Sequence, residues 1–571
     1  MIEKSNAFEQ SKGLCVGIDL GTTNSAISIL VDGDIPEVLP LRNGKKTLPS
    51  CVMYTGGDSF IVGEEAYKQR YLPNVIYSVK RFMGLDTPIT LTYGNESKTL
   101  LPEEVSSLIL KQLCDEIEPT YGKVTSAIIT VPAYFNNKQL QKTKKAGELA
   151  GLNVLKVMRE PTSASLIYDF GNSMENKTIL VYDLGGGTFD VSLVQLTGKK
   201  THQSYSEIDK IYGFPEKSKD TAGAKSLTVL CTDGDAHLGG DDLDIELYKI
   251  VEQKLKETGI DVSRITKETK EKLILRLEGL KKGGYTNCRI PLVINGISVD
   301  IALDYYDFWN ATEVIYKKTK KYIDNVLKNI ALGNLTSIVL VGGSTKSAIL
   351  KDMLHRDFPG VTIDDAFNPD EAVARGAAIE AKRILFGDST LQVYDVVPQN
   401  IGIGDMVRGT VSVAIKRNQS IPFISREKTF ESTHDGQKTM NINIYQGNSR
   451  LLTECEYLGT ICLEDLPSKP KGDLQVKIIL SVNVSGFLKI TTVINGDIKE
   501  AVLSNIFQNT DKQATSQSAL SKDKKYLRWR KLANTLDDSK QKSLNNLLDI
   551  YVENPSEENT TNIVNYIKQY V

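Results

Sequence analysis

Apolar positions along this chain fall into short runs whose period changes from region to region, and one run is written twice. Gly17-Ile18-Asp19-Leu20-Gly21-Thr22-Thr23-Asn24-Ser25-Ala26-Ile27-Ser28-Ile29-Leu30 returns in altered form as Val181-Tyr182-Asp183-Leu184-Gly185-Gly186-Gly187-Thr188-Phe189-Asp190-Val191-Ser192-Leu193-Val194. Each copy is an apolar run entering an Asp, a turn of glycine and hydroxyl residues, and an apolar run leaving, which predicts a β-hairpin. Between the copies, strand and helix patterns alternate. Val124 to Val131 is an apolar strand ending at Pro132, Gln139 to Ala150 predicts a helix, and Val154 to Val157 predicts its partner strand. That alternation predicts an α/β region. After the second copy come a polar stretch from Lys199 to Lys225, a turn at His237-Leu238-Gly239-Gly240-Asp241-Asp242 and a charged helix over Lys267 to Lys282. A strand over Ser337 to Val341 then runs into Gly342-Gly343-Ser344-Thr345.

Past Gly387 the pattern changes. From Val396 to about Phe507 short runs alternate apolar and polar and are broken by Gly, Asn and Pro, which predicts an all-β sandwich. From Ser518 onward Tyr526, Leu527, Trp529 and Leu532, then Leu544, Leu547, Leu548 and Tyr551, then Ile563, Val564 and Ile567 repeat at helical spacing. Breaks at Asp537-Asp538 and Asn554-Pro555 divide them into three short helices.

Composition narrows the function classes. A chain of 571 residues is too long for one core. Lys+Arg 69 against Asp+Glu 71 leaves a net charge of -2, so no basic field argues for nucleic acid. No run of about 18 apolar residues predicts a membrane span, and the polar first twelve residues have no apolar leader core, which points to the cytoplasm. The seven cysteines form no C-x-x-C pair and read as small apolar fillers in a reducing compartment. His202, His237, His355 and His434 share no ligand spacing, so no zinc site is expected.

The duplicated turns carry the candidate chemistry. Glycine lets backbone N–H groups approach anionic oxygens, Thr hydroxyls donate further hydrogen bonds, and the Asp at each strand end can hold a hydrated Mg²⁺ over phosphates. Two such tips facing each other make a nucleotide clamp, with Asp19 and Asp183 on the metal and Gly21, Thr22, Thr23, Asn24, Gly185, Gly186, Gly187 and Thr188 on phosphate.

These two turns, together with Val131-Pro132-Ala133-Tyr134-Phe135-Asn136, Glu160-Pro161-Thr162, His237 to Asp242, Val341 to Thr345 and Asn368 to Ala374, occur in an order that closely resembles the DnaK-type seventy-kilodalton heat-shock chaperones. The resemblance runs from about Leu14 to about Ser504. It implies a two-lobed, actin-like α/β ATPase domain at 13–387, a linker at 388–397, a β-sandwich that binds peptides at 398–508 and a short helical lid-like segment at 515–571. The implied activity is ATP hydrolysis coupled to binding and release of unfolded or extended polypeptides, with ATP/ADP and Mg²⁺ bound and K⁺ as a further ion. A J-domain co-chaperone and a nucleotide exchange factor are the implied partners.

Residue by residue, the resemblance makes Lys80 the catalytic lysine that orients the attacking water, with Glu160 and Asp190 beside it. Gly239, Gly240, Gly342, Gly343, Ser344, Lys346 and Asp370 match positions around the nucleotide, and Glu278, Lys281 and Lys282 match the helix covering adenine. Met406, Phe430, Thr433 and Met440 match positions lining or arching over the peptide groove.

Departures from the family pattern sit at the joints. Leu140 stands where the family has an Arg that senses the linker and sandwich, which predicts weak coupling, and Lys346 replaces an Arg that would stack on the base. Leu391-Gln392-Val393-Tyr394 replaces a more uniformly aliphatic linker. Lys156 and Arg159 alter the expected J-domain contact, and the Lys199 to Lys225 stretch is an insertion. Gly283-Gly284-Tyr285 replaces the usual end of the adenine helix. The short tail resembles the compact HscC branch of bacterial members. A rival expectation is a non-cycling member that holds peptides or serves as an exchange factor, with ATP as a structural ligand.

Overall fold

The computed structural model describes residues 13–31, 35–171, 177–197, 225–284, 287–294, 296–328, 334–388, 390–494 and 497–501. The expected helical segment 515–571 and most of the expected insertion lie outside them.

Both predicted hairpins form. Leu14–Asp19 pairs with Asn24–Val31, Asp19 opposite Ala26, and Lys177–Leu184 pairs with Phe189–Thr197, Asp183 opposite Asp190. Each hairpin then seeds its own sheet, and the two sheets follow one order. In the first lobe Val124–Val131 lies parallel to the Leu14–Asp19 strand, Asn153–Arg159 lies parallel beyond it, and Ile35–Val38 closes the other side antiparallel. In the second lobe Ser337–Val341 and Thr362–Asp364 are the parallel pair and Lys225–Asp235 is the antiparallel neighbour. Parallel neighbours need a crossover. The helices Asn137–Leu149 and Ala348–Asp357 supply it.

The Asn137–Leu149 helix begins two residues before its expected start because of its cap. The Asn136 side chain accepts from the Gln139 N–H and the Gln139 side chain accepts from the Asn136 N–H, each at 2.9 Å.

One core joins the lobes beneath their cleft. Ile128 and Met158 of the first sheet meet Ile179, Val181, Val339 and Val341 of the second. Ala164 and Leu166 from the helix Glu160–Gly171, and Val373, Ala377 and Ala381 from the helix Ala372–Phe386, fill the space between.

The stretch expected to be a linker is a strand. Leu391–Val396 lies parallel to Lys225–Thr228 and adds itself to the second-lobe sheet, and Ser420–Ile421 pairs with Asp395 and Val396. Leu391 and Val393, and Val396 at the strand's end, pack with the joint core.

The sandwich follows as two sheets. One orders Thr410–Ile415, Ile401–Asp405, Met440–Gln446 and Glu456–Leu463. The other builds on Gln475–Val482, Leu488–Ile494 and Asp497–Ala501. Ile403, Ile415, Ile444, Val476, Ile478 and Leu480 fill the space between them.

The sandwich is docked on the two lobes. The Asn137 N–H donates to Gln446 Oε1 at 2.9 Å, the Asn448 amide donates to Tyr134 Oη at 2.9 Å, and Arg417 pairs with Asp233 at 2.9 Å. Phe487 packs on the first-lobe core cluster that contains Leu140. The missing charge at Leu140 is therefore replaced by apolar packing. The 391–396 strand is also held by polar contacts: Asp395 accepts from Thr162 Oγ1 at 2.9 Å and lies 3.7 Å from Arg159.

Candidate nucleotide site

The tips of both hairpins, the glycine turn after Ser337–Val341 and the helix Lys267–Lys282 line one cleft of about 660 Å³. That volume suits a ligand of nucleotide size. Asp19, Gly21, Thr22, Thr23 and Asn24 enter from the first copy, and Asp183, Gly185, Gly186 and Thr188 from the second. The two tips nearly touch. A Cβ on Gly186 would lie 1.7 Å from Thr23 Oγ1, so no other residue fits there. The Thr22 and Thr23 hydroxyls are buried without a hydrogen-bond partner, and buried donors of that kind call for an acceptor such as a phosphate oxygen.

A third segment braces the second tip. The Gly240 N–H donates to Gly185 O at 2.9 Å and the Asp241 N–H to Gly186 O at 2.7 Å. Gly239 packs on Gly186, where a Cβ would come within 2.5 Å of its carbonyl. Gly187 turns its carbonyl to Arg81 Nε at 3.0 Å. Gly187 and Gly239 therefore stand just behind the lining.

Charge concentrates at this end. Lys80 Nζ lies 2.5 Å from Glu160 Oε1, with both side chains buried. Asp19 accepts from Thr130 Oγ1 at 3.2 Å, and Asp190 accepts from the Tyr134 N–H at 3.2 Å. Burial, then Glu160, pushes Asp19 up to about 7 against the pull of Lys80. Burial and Glu160 likewise push Asp190 up to about 8. Asp183 is raised for the same two reasons. Three carboxylates beside one ion pair leave the site short of positive charge, and a divalent cation would supply it. Among the described residues no three acidic, His or Cys side chains close around a metal. The pair Asp19 and Asp183 instead fits a Mg²⁺ that keeps its waters and takes phosphate oxygens.

The far end of the cleft is polar but internally paired. Lys346 pairs with Asp370. Ser344 Oγ donates to Gly185 O at 2.9 Å, and Lys281 pairs with Asp244 at 2.7 Å and donates to Gly240 O at 2.8 Å. Gly342 has φ of 81°, and a Cβ there would lie 2.4 Å from Leu184 O. With Gly343 it lets the third strand end against the second tip. Glu278 and Lys282 pair with each other at 2.5 Å. Sequence reasoning missed Tyr67, Phe308, Thr312 and Ile349, which also line the cleft. Nothing in their spacing sets them apart from ordinary helix positions. Arg81 did carry a signal, its place beside Lys80.

The four groove candidates divide between surface and core. Phe430 and Met440 pack in or on the sandwich core. Met406 is exposed on the hairpin after Ile401–Asp405, its sulfur 3.9 Å from Tyr445 Oη. Thr433 is exposed and its N–H donates to Gln437 Oε1 at 2.8 Å.

A family model described as Hsp70 protein matches residues 15–213 and 222–565. The chain belongs to the Hsp70 family of ATP-dependent chaperones. The gap in the match at 214–221 falls inside the expected insertion. This Hsp70 chain is 34% identical over 493 residues to the chaperone protein DnaK of Mycoplasmopsis synoviae strain 53, covering 84% of the chain and 77% of that protein. It is also 34% identical over 497 residues to the chaperone protein DnaK of Mycoplasmoides gallisepticum, covering 85% of the chain and 79% of that protein. Among the described residues no helix is long and apolar enough to cross a membrane.

Proposed function

We propose that this Hsp70 chain hydrolyses Mg²⁺-ATP in the cleft and uses the outcome to control binding of extended polypeptide segments by the sandwich. The observation that carries the site assignment is the meeting of two buried, unpartnered Thr hydroxyls with the Lys80–Glu160 pair between the duplicated tips. Asp19 and Asp183 would hold a hydrated Mg²⁺, which would supply charge neutralisation to the phosphates. Thr22, Thr23 and the glycines of both tips bind phosphate oxygens, and Thr188 donates to the γ-phosphate. Lys80 orients the attacking water while Glu160 fixes the lysine, and Asp190, anchored by the Tyr134 N–H, takes up the water's proton. Ser344, Lys346, Asp370 and Lys281 shape the adenosine end, and K⁺ is a further ion for the carboxylate-rich end.

In the sandwich, Met406 and Thr433 arch over an extended segment whose apolar side chain meets Met440 and Phe430. The domain boundaries follow as ATPase lobes at 13–387, linker at 388–397 and sandwich at 398–508. A J-domain partner would meet Lys156 and Arg159 already paired with Glu380 and Asp395. Seven free cysteines fit a reducing cytoplasmic setting.

The test is peptide release measured with ATP and with ADP, beside single-turnover hydrolysis, in the unmodified protein and in Thr188→Ala. ATP should speed release, and Thr188→Ala should lower hydrolysis at least about tenfold while leaving ADP binding. Equal release rates in both nucleotides would reject the cycle.

A further inference from the structure

The last turn of the helix Ala372–Phe386 is apolar and open. Ile384, Leu385 and Phe386 are 42%, 54% and 67% exposed, while Ala377 and Ala381 of the same helix are buried in the joint core. Single exposed apolar residues are ordinary, but neighbouring ones mark a contact surface. The chain leaving the helix does not cover them. It turns at Gly387, with φ of 65°, and the Asp388 carboxylate accepts from the Thr390 N–H at 2.9 Å. Gly387, Asp388, Ser389 and Thr390 carry no large apolar side chain to fold back over the turn.

The open turn adjoins the place where residues 198–224, outside the described residues, leave and re-enter the second-lobe sheet. Thr197, the last residue of its strand, stands opposite Ser226. Lys225 stands opposite Leu391, and its N–H donates to Thr390 O at 3.1 Å. Arg383, in the open turn itself, donates from Nη2 to Leu391 O. Phe386 comes four residues before Thr390, so the two lie within about 13 Å at ~3.3 Å per residue.

Most of 198–224 is polar, but Tyr205, Ile208, Ile211, Tyr212 and Phe214 gather in its middle. The family match breaks inside the same stretch, at 214–221. Ile208 is eleven residues from Thr197 and Phe214 eleven from Lys225, a reach of roughly 36 Å from either end. That is well beyond the distance to the open turn. A segment tethered so closely has an effective concentration on the order of millimolar, which favours it over a second copy in dilute solution.

We propose that the apolar residues at 205–214 dock on Ile384, Leu385 and Phe386, so that the insertion covers the open end of the helix in its own chain. The contact needs nothing bound in the cleft and no partner protein.

The full-length protein tests this with Phe386 replaced by the photoreactive residue p-benzoylphenylalanine, irradiated and mapped by peptide mass spectrometry. The expected product is a cross-link within one chain to 205–214. A cross-link instead to 515–571 or to a second copy, or none to 205–214, would overturn the proposal. Leu385→Ser with Phe386→Ser changes exposed positions only and should leave ATP hydrolysis unaltered. In that double variant trypsin should cut after Lys210 at least about fivefold faster than in the unmodified protein. In the converse variant, Ile208→Ser with Ile211→Ser and Phe214→Ser, amide exchange at 383–387 should rise by a similar factor. Cleavage after Lys210 at the unmodified rate, or exchange at 383–387 that ignores the triple change, would each sink the contact.

Discussion

The two lobes are built to one plan and differ at one edge. In the first, the outermost antiparallel strand is Ile35–Val38, and it carries Pro36 opposite Leu30. Proline has no N–H to offer a further strand, a common way to close a sheet edge. The corresponding second-lobe strand, Lys225–Asp235, has no proline and accepts Leu391–Val396 along Lys225–Thr228. A duplicated fold thus gives two equal halves to the cleft and only one open edge to the rest of the chain. The proposed nucleotide clamp uses what the copies share, and pairing with the 391–396 strand uses what they do not.

The cleft between the copies is tested first because its effects should be largest. Lys80→Met removes the cation that pairs with Glu160 beside the buried carboxylates and should lower turnover by about a hundredfold or more in single-turnover assays. Asp183→Asn or Thr188→Ala should each lower it at least about tenfold, roughly 1.4 kcal/mol of barrier. Wild-type rates in these variants would break the view that both tips act on one phosphate chain.

The next test concerns docking. Leu140 is 2% exposed within the core that receives Phe487. The sequence pattern predicts that an Arg here would strengthen coupling, but in this packing Leu140→Arg buries a charge among apolar groups at a penalty of about 3 kcal/mol or more. Amide exchange in Leu391–Val396 and Lys225–Thr228 should rise sharply as the sandwich comes away. Tighter protection would show that the guanidinium finds a partner.

A pH series compares carboxylates drawn from the two copies. Asp19 and Asp190 sit near 7 and 8, above the ordinary 3.8. A carboxyl raised on folding contributes stability below about pH 4 that is lost as pH climbs through its folded value. The melting temperature of nucleotide-free protein should therefore fall between about pH 5 and 8. Mg²⁺-ADP should flatten that slope, and a slope unchanged by it would argue against a metal beside these groups.

Smaller effects belong to the edges themselves. Asp395→Ala leaves the buried Arg159 with the Ala133 carbonyl, its acceptor at 3.2 Å. It should weaken linker pairing by about 1–3 kcal/mol, read as faster exchange at 391–396. Pro36→Thr should leave stability within about 0.5 kcal/mol and add weak self-association, visible by sedimentation at high concentration, if the proline is what closes the first edge.

Much of this was legible in the sequence because it is local. The Asp-Gly-hydroxyl turns fix each hairpin and the tip it brings to the cleft within fourteen residues, and the strand Val124–Val131 and the helix Lys267–Lys282 fall at their expected limits. The linker strand was not legible, because Leu391 to Val396 becomes a strand only by pairing with a segment far earlier in the chain. Tyr67 was hidden for a similar reason: its hydroxyl meets Glu278 only across the cleft. Leu140 taught the opposite lesson, since an absent charge said nothing of the Phe487 that packs on its cluster.

The helix Ala372–Phe386 has a consequence for how the protein is made. It packs on the Glu160–Gly171 helix and on the Leu14–Asp19 strand, and Ser163 Oγ donates to Val373 O at 2.7 Å. One side of the Leu14–Asp19 strand is therefore not covered until residues 372–386 have been synthesised. A chain emerging at about 5–20 residues per second leaves that apolar strand waiting for tens of seconds. The first lobe of this chaperone is thus itself a nascent segment in need of protection, and variants that slow synthesis between the two lobes should aggregate before they misfunction.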